Sequence, residues 1–160
     1  MAILGVDDFK AKLTGGGARP NLFKCTVNFP AYAGGDSEFT SFMVKGAQLP
    51  ASTVATVEVP FRGRQLKIAG DRTFEPWTIT VINDSEMKVR NSFETWLNGI
   101  NEHVNNTGLA NPSDYQADMT VEQLGKDGEV TKTYTIRGGF PTTVSSIDLS
   151  YDTNDAIEEY

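Results

Sequence analysis

Cys25 and His103, the only cysteine and the only histidine of the chain, are the residues best suited by type to nucleophilic chemistry or zinc binding. A thiol–imidazole pair needs the two side chains within hydrogen-bond reach. Cys25 alternates with Phe23 and Val27 on the apolar side of a strand-like run, whereas His103 stands in a polar stretch, so the sequence does not bring them together. One of each also falls short of a structural zinc site, and a lone cysteine excludes an intramolecular disulfide. The glycine-rich "TGGGA" at 14–18 lacks the Gly-Lys-Ser/Thr of a phosphate loop and precedes a strand where that motif should open a helix. It reads as a flexible joint. The many carboxylates are scattered, and nothing singles out two of them as a glycosidase-like dyad. Asp71 and Arg72, next to Gly70, remain as one charged pair. Beside a glycine turn such a pair fixes backbone geometry or meets a partner more readily than it catalyses. No nucleophile, base and orienting group assemble from the sequence, so no enzyme, cofactor or metal is expected.

The elements that must position these residues are mostly strands. "NLFKCTVNF" places Phe23, Cys25, Val27 and Phe29 opposite Leu22, Lys24, Thr26 and Asn28, the period-two pattern of a half-buried strand. "EFTSFMVKGAQL" alternates after a turn-rich stretch, which predicts a second strand returning antiparallel to the first as a long hairpin. "VATVEVPFRGRQLKIAGD" is extended but interrupted by Pro60 and Gly63, and reads as an edge hairpin or a projecting loop over about 46–72. "PWTITVIND" is dense in β-branched and aromatic residues, with Trp77, Ile79 and Val81 on one side. It leads into the one convincing helix, about 84–100, which Asp84 or Ser85 can cap. Val89, Phe93, Trp96 or Leu97, and Ile100 form its apolar stripe. The expected helix–sheet core is Trp77, Ile79, Val89, Phe93 and Trp96. "DMTVEQLGKDGEVTKTYTIRGGF" predicts a hairpin turning at "GKDGE", and "PTTVSSIDLSY" alternates as a further strand. Successive strands with a single flanking helix predict a mainly β protein, an antiparallel sandwich or barrel.

Length and charge bound the rest. A chain of 160 residues is expected to form one domain, 1–160, burying ~70% of the surface of its unfolded form, with a flexible N-terminal segment at 1–18. No run approaches the ~18 apolar residues of a membrane span, and the start of the chain does not read as a secretory signal, so synthesis and retention in the cytoplasm are expected. The net charge of −7 opposes binding to nucleic acid. The charge is uneven: residues 58–72 hold Arg62, Arg64, Lys67 and Arg72 against Glu58 and Asp71, a net +2, which leaves −9 on the remainder. Residues 148–160 carry five acids and no base. A basic loop on an acidic body suits contact between copies of the same chain.

Taken together, "ARPNLF" at 18–23, "AGDRTFEPWTITVIND" at 69–84, the helix with Phe93 and Trp96, and "GGFPTTVSSIDLSYD" at 138–152 resemble the inner tail tube protein of contractile-tailed bacteriophages. Related tubes occur in tailocins and in contractile injection systems. The resemblance covers most of the chain and implies six-membered rings whose strands join into a shared β-barrel around a channel. It further implies that the rings stack inside a contractile sheath, in a virion tail assembled from protein made in the host cytoplasm, and that the genome passes through. It implies as partners further copies of the chain, the sheath protein, the baseplate hub and the tape measure protein, with DNA passing without specific binding. On that reading Arg62, Arg64, Lys67, Asp71 and Arg72 are expected to make contacts between subunits or rings, with Asp71 and Arg72 anchoring the loop where it rejoins the core. Members of the family usually continue beyond "NDAIEEY" into a further strand, so the C-terminal edge of the barrel is the weakest part of the resemblance. A monomeric β-sandwich module binding sugar or peptide, and more distantly a hydrolase, stand as alternatives, as does the tube of a protein-delivering injection system.

Overall fold

The computed structural model describes residues 5–160. In chain order its elements are α1 (Val6–Lys12), β1 (Phe23–Val27), α2 (Ser37–Met43), β2 (Val44–Ala47), β3 (Ser52–Phe61) and β4 (Arg64–Phe74). They continue with β5 (Ile79–Val81), α3 (Lys88–Ile100), α4 (Pro112–Tyr115), β6 (Ala117–Leu124) and β7 (Val130–Gly139). All strand pairing is antiparallel and falls into three sheets, ordered β1-β6-β7, β2-β5 and β3-β4. The antiparallel, mainly β class expected from the alternation is present. A barrel requires each strand to be paired on both sides, and the described residues close none.

The core forms where the period-two pattern meets α3. Cys25 stands directly opposite Val121 and Val27 opposite Met119, so these four side chains share the inner face of the sheet, and all four are buried. α3 lays Val89, Phe93 and Trp96 into that core, and all three are buried. Phe29 meets Phe93 and Trp96 edge-on, with ring centroids 5.2 and 5.7 Å apart. The Trp96 indole N–H donates to the Tyr115 carbonyl at 2.7 Å, so the largest buried side chain leaves no polar atom unpaired. Tyr32 closes over the far end of α3, its hydroxyl donating to the Trp96 carbonyl at 3.0 Å. A Cβ on Gly99 would lie 2.2 Å from that ring, so glycine is what permits the approach. Trp77 and Ile79 are half-buried against the same core, and the Trp77 indole donates to the Gln48 carbonyl at 2.6 Å.

Four sequence expectations are corrected. Residues 37–43 are helical rather than extended, because the Asp36 carboxylate accepts from the Glu38 and Phe39 amides at 2.9 and 3.1 Å and caps α2. The strand that follows, β2, pairs with β5, while the partner of β1 is β6, so no hairpin joins residues 23–29 to 39–45. The main helix begins at Lys88, not near 84. Met87 adopts a left-handed φ of 53°, and the Asp84 side chain accepts from the Lys88 amide at 2.9 Å across an intervening turn. Residues 141–151 form no strand. Val144 packs on the core and the Ser145 carbonyl accepts from Arg90 at 3.1 Å, but Leu149 and Tyr151 stand in solvent. Alternation records a two-sided environment, not a bonding partner, and among the described residues no strand pairs with the segment. The residues that do extend the β2-β5 sheet are 158–160: Val81 and Tyr160 exchange backbone hydrogen bonds at 2.9 and 3.1 Å.

The turn at "GKDGE" forms as read, with the Gly125 amide donating to the Glu129 carbonyl at 2.8 Å and Gly128 at φ 83°. Of the N-terminal segment expected to be flexible, residues 1–4 lie outside the described residues, and α1 occupies much of the rest without burying any side chain.

Candidate assembly surface

β3 and β4 form a hairpin of 10 and 11 residues in which every position is exposed except Gly70. Its turn is set by Arg62 and Gly63, at φ 46° and 79°, the paired positive angles of the two-residue turn whose twist matches that of the strands. Directly opposed residues lie on one face. Val57 faces Ile68, Val59 faces Leu66 and Phe61 faces Arg64, so Val57, Val59, Phe61, Leu66 and Ile68 make a continuous apolar strip. Each of the five is between 40% and 68% exposed. The other face is polar, carrying Glu58 opposite Lys67 and Pro60 opposite Gln65. A register shift between Val54 and Thr56 sets Gly70 and Asp71 of β4 against the single Ala55 of β3, a one-residue bulge that bends the hairpin near its base. Neither strand makes an extended contact with any other named element.

Electrostatics contribute little to holding this hairpin together. Lys67 and Glu58 approach to 3.8 Å, but both are largely exposed, and such a pair is worth ~0–1 kcal/mol. The Arg62 guanidinium lies 5.3 Å from the centre of the Phe61 ring and caps the apolar strip at the tip. Among the described residues, Asp71 and Arg72 enter no ion pair.

All five charged residues expected to make contacts therefore lie on this hairpin, in two groups. Arg62 and Arg64 occupy the tip. Asp71 and Arg72 sit at the bulge, where Arg72 faces Val54, and eight residues of strand separate Arg64 from Arg72, ~26 Å. Lys67 lies between them on the polar face. The apolar strip was not singled out from the sequence. Its signal is visible there: Val57, Val59 and Phe61 alternate, as do Leu66 and Ile68, and an alternation with no core beneath it marks a face covered by something else.

Elsewhere, the residues best suited by type to chemistry lie apart. Burial pushes the Cys25 thiol up to about 11, a value at which it is neither nucleophile nor ligand at neutral pH. His103 pairs with Asn98 at 3.1 Å on the exposed side of α3 and does not meet Cys25. No group of three His, Cys, Asp or Glu residues among the described residues is placed to hold a metal ion. No described helix is long and apolar enough to cross a membrane.

Comparison with known proteins accounts for a molecule with a surface and no reaction centre. Residues 18–160 match the family described as phage tail tube protein. The chain is 36% identical over 157 residues to the tail tube protein gp19 of Enterobacteria phage T4, an alignment covering 97% of this chain and 93% of that protein. It is equally similar to the tail tube protein gp19 of Enterobacteria phage T6. The tail tube protein of Serratia phage KSP90 is 30% identical over 159 residues, 97% of this chain and 90% of the other. The chain belongs to the phage tail tube protein family, and its role is structural rather than catalytic.

Proposed function

We propose that copies of this chain assemble into six-membered rings that stack as the hollow tube of a virion tail, inside a contractile sheath, and that the genome leaves through the channel. The observation that carries the reading is the β3-β4 hairpin. An isolated two-stranded hairpin is at best marginally stable in water, and this one exposes an apolar strip that none of the described residues covers. A contact with another copy supplies the missing cover. Arg62, Arg64, Lys67 and Arg72 give that contact charge complementarity toward an acidic neighbour, and Asp71 borders it. The long strand β7 is unpaired along its outer side, which leaves an edge for a shared barrel to extend through. An acidic wall repels phosphate and lets DNA slide without specific binding. Synthesis in the host cytoplasm, and contacts with sheath, baseplate hub and tape measure proteins, follow from the same reading.

Negative-stain electron microscopy of the purified protein across a concentration and salt series tests it. Rings or tubes of uniform width with an axial channel are expected. Monomers at every condition, including in the presence of preformed tail tube ends as seeds, overturn it.

A further inference from the structure

A second apolar face is uncovered among the described residues, near the N-terminal end of the sequence. α1 places Val6 and Phe9 on one side, three residues apart, and Leu13, the residue that caps its C-terminal end, follows four residues after Phe9. They are 70%, 64% and 43% exposed, and α1 buries no residue at all. A seven-residue helix standing free in water lacks the length to be stable alone. Its stripe spans ~10 Å along the axis, and the hairpin strip from Val57 to Phe61 spans ~13 Å along the strand. The ends also match in charge: Asp7 and Asp8 lie in the first turn of α1, and Arg62 and Arg64 at the tip of the hairpin.

We infer that the apolar stripe of α1 in one copy docks on the apolar strip of the β3-β4 hairpin of a second copy, with Asp7 turned toward Arg62 and Arg64. The inference rests on the tube reading and deepens it by naming the two surfaces that meet. Asp8 is less available for this pairing, because its carboxylate accepts from the Gly5 amide at 3.3 Å. The choice of occupant follows from symmetry. Hairpin against hairpin is an isologous contact, which closes into a dimer and stops growth. Helix against hairpin joins two different surfaces head to tail and propagates into a ring or a filament.

The test uses two variants with one added cysteine each, Phe9→Cys and Leu66→Cys, both at exposed positions, with the buried Cys25 left in place. Mixed under assembly conditions and treated with a short bismaleimide, they are expected to give a cross-linked dimer whose joined peptides contain residues 9 and 66, while either variant alone gives little. Tubes without that link overturn the inference and leave the tube reading standing. Strong dimerisation of Leu66→Cys alone overturns it in favour of hairpin self-pairing. Wild-type protein that never forms tubes in micrographs removes the tube reading, and the inference falls with it. A charge reversal gives an independent readout: Asp7→Arg and Arg64→Asp should each raise the concentration needed for assembly about fivefold, and together restore it. A double variant no better than the singles refutes the pairing.

Discussion

Cys25 and Tyr160 are side chains whose protons report on folding. The Cys25 thiol is buried between the sheet and α3, and desolvation raises it from an ordinary 9.0 to about 11. The Tyr160 ring lies under the Arg90 guanidinium, 5.1 Å from its centroid. Burial raises its phenol from 10.0 to about 12; the Arg90 charge opposes this, and Asp84 and Glu94 add to it. In both cases the folded protein holds the proton longer than the unfolded chain does. The stabilisation is therefore complete below pH 9 and is lost between 9 and 11 for Cys25 and between 10 and 12 for Tyr160. Urea midpoints measured from pH 8 to pH 12 should fall steadily above pH 9. Cys25→Ala should flatten the earlier part of the decline and Tyr160→Phe the later part. A decline equally steep in both variants would show that neither group is linked to unfolding in this way.

Among the elements, the hairpin is where folding and assembly separate most cleanly. Arg72 faces Val54 at its bulge and has no ion pair among the described residues, so removing its side chain takes nothing from the monomer. Arg72→Ala should leave the circular dichroism spectrum and urea midpoint unchanged while raising the concentration needed for tube formation about tenfold, the equivalent of ~1.4 kcal/mol at the contact. Normal tubes at wild-type concentration would remove Arg72 from the contact. What could be read of these elements in the sequence depended on whether the deciding interaction was local. The "GKDGE" turn and the stripe of α3 declare themselves because their causes lie within a few residues. α2 was masked because Phe39, Ser41 and Met43 also satisfy period two; the Asp36 cap decided the matter, and it reads equally well as part of a turn. The pairing of β1 with β6 spans about a hundred residues, and alternation carries no information about partners. The five charged residues of the candidate surface drew notice by their sign. The apolar strip beside them, exposed to solvent, shows its meaning only once the fold reveals that no other described element covers it.

For the whole molecule the governing quantity is a net charge of −7, which over the six copies of the proposed ring would give −42. Such rings repel at distances beyond their contacts, where water separates them. The attractive contacts are of two kinds, apolar faces that are indifferent to moderate salt and charge pairs that meet at a few ångströms. Screening acts first on the longer-range interaction, since the Debye length shortens from ~30 Å at 0.01 M to ~8 Å at 0.15 M, still longer than the separation within a charge pair. Adding salt over that range should therefore lower the concentration at which tubes appear, which light scattering and micrographs of the same samples would register. The opposite trend would mean that charge pairing, rather than the apolar strip, supplies most of the cohesion. The same −7 makes a companion observation informative: duplex DNA added at 0.1 M salt should not be retained by the tubes, and retention that disappears at higher salt would indicate a basic channel wall instead of an acidic one.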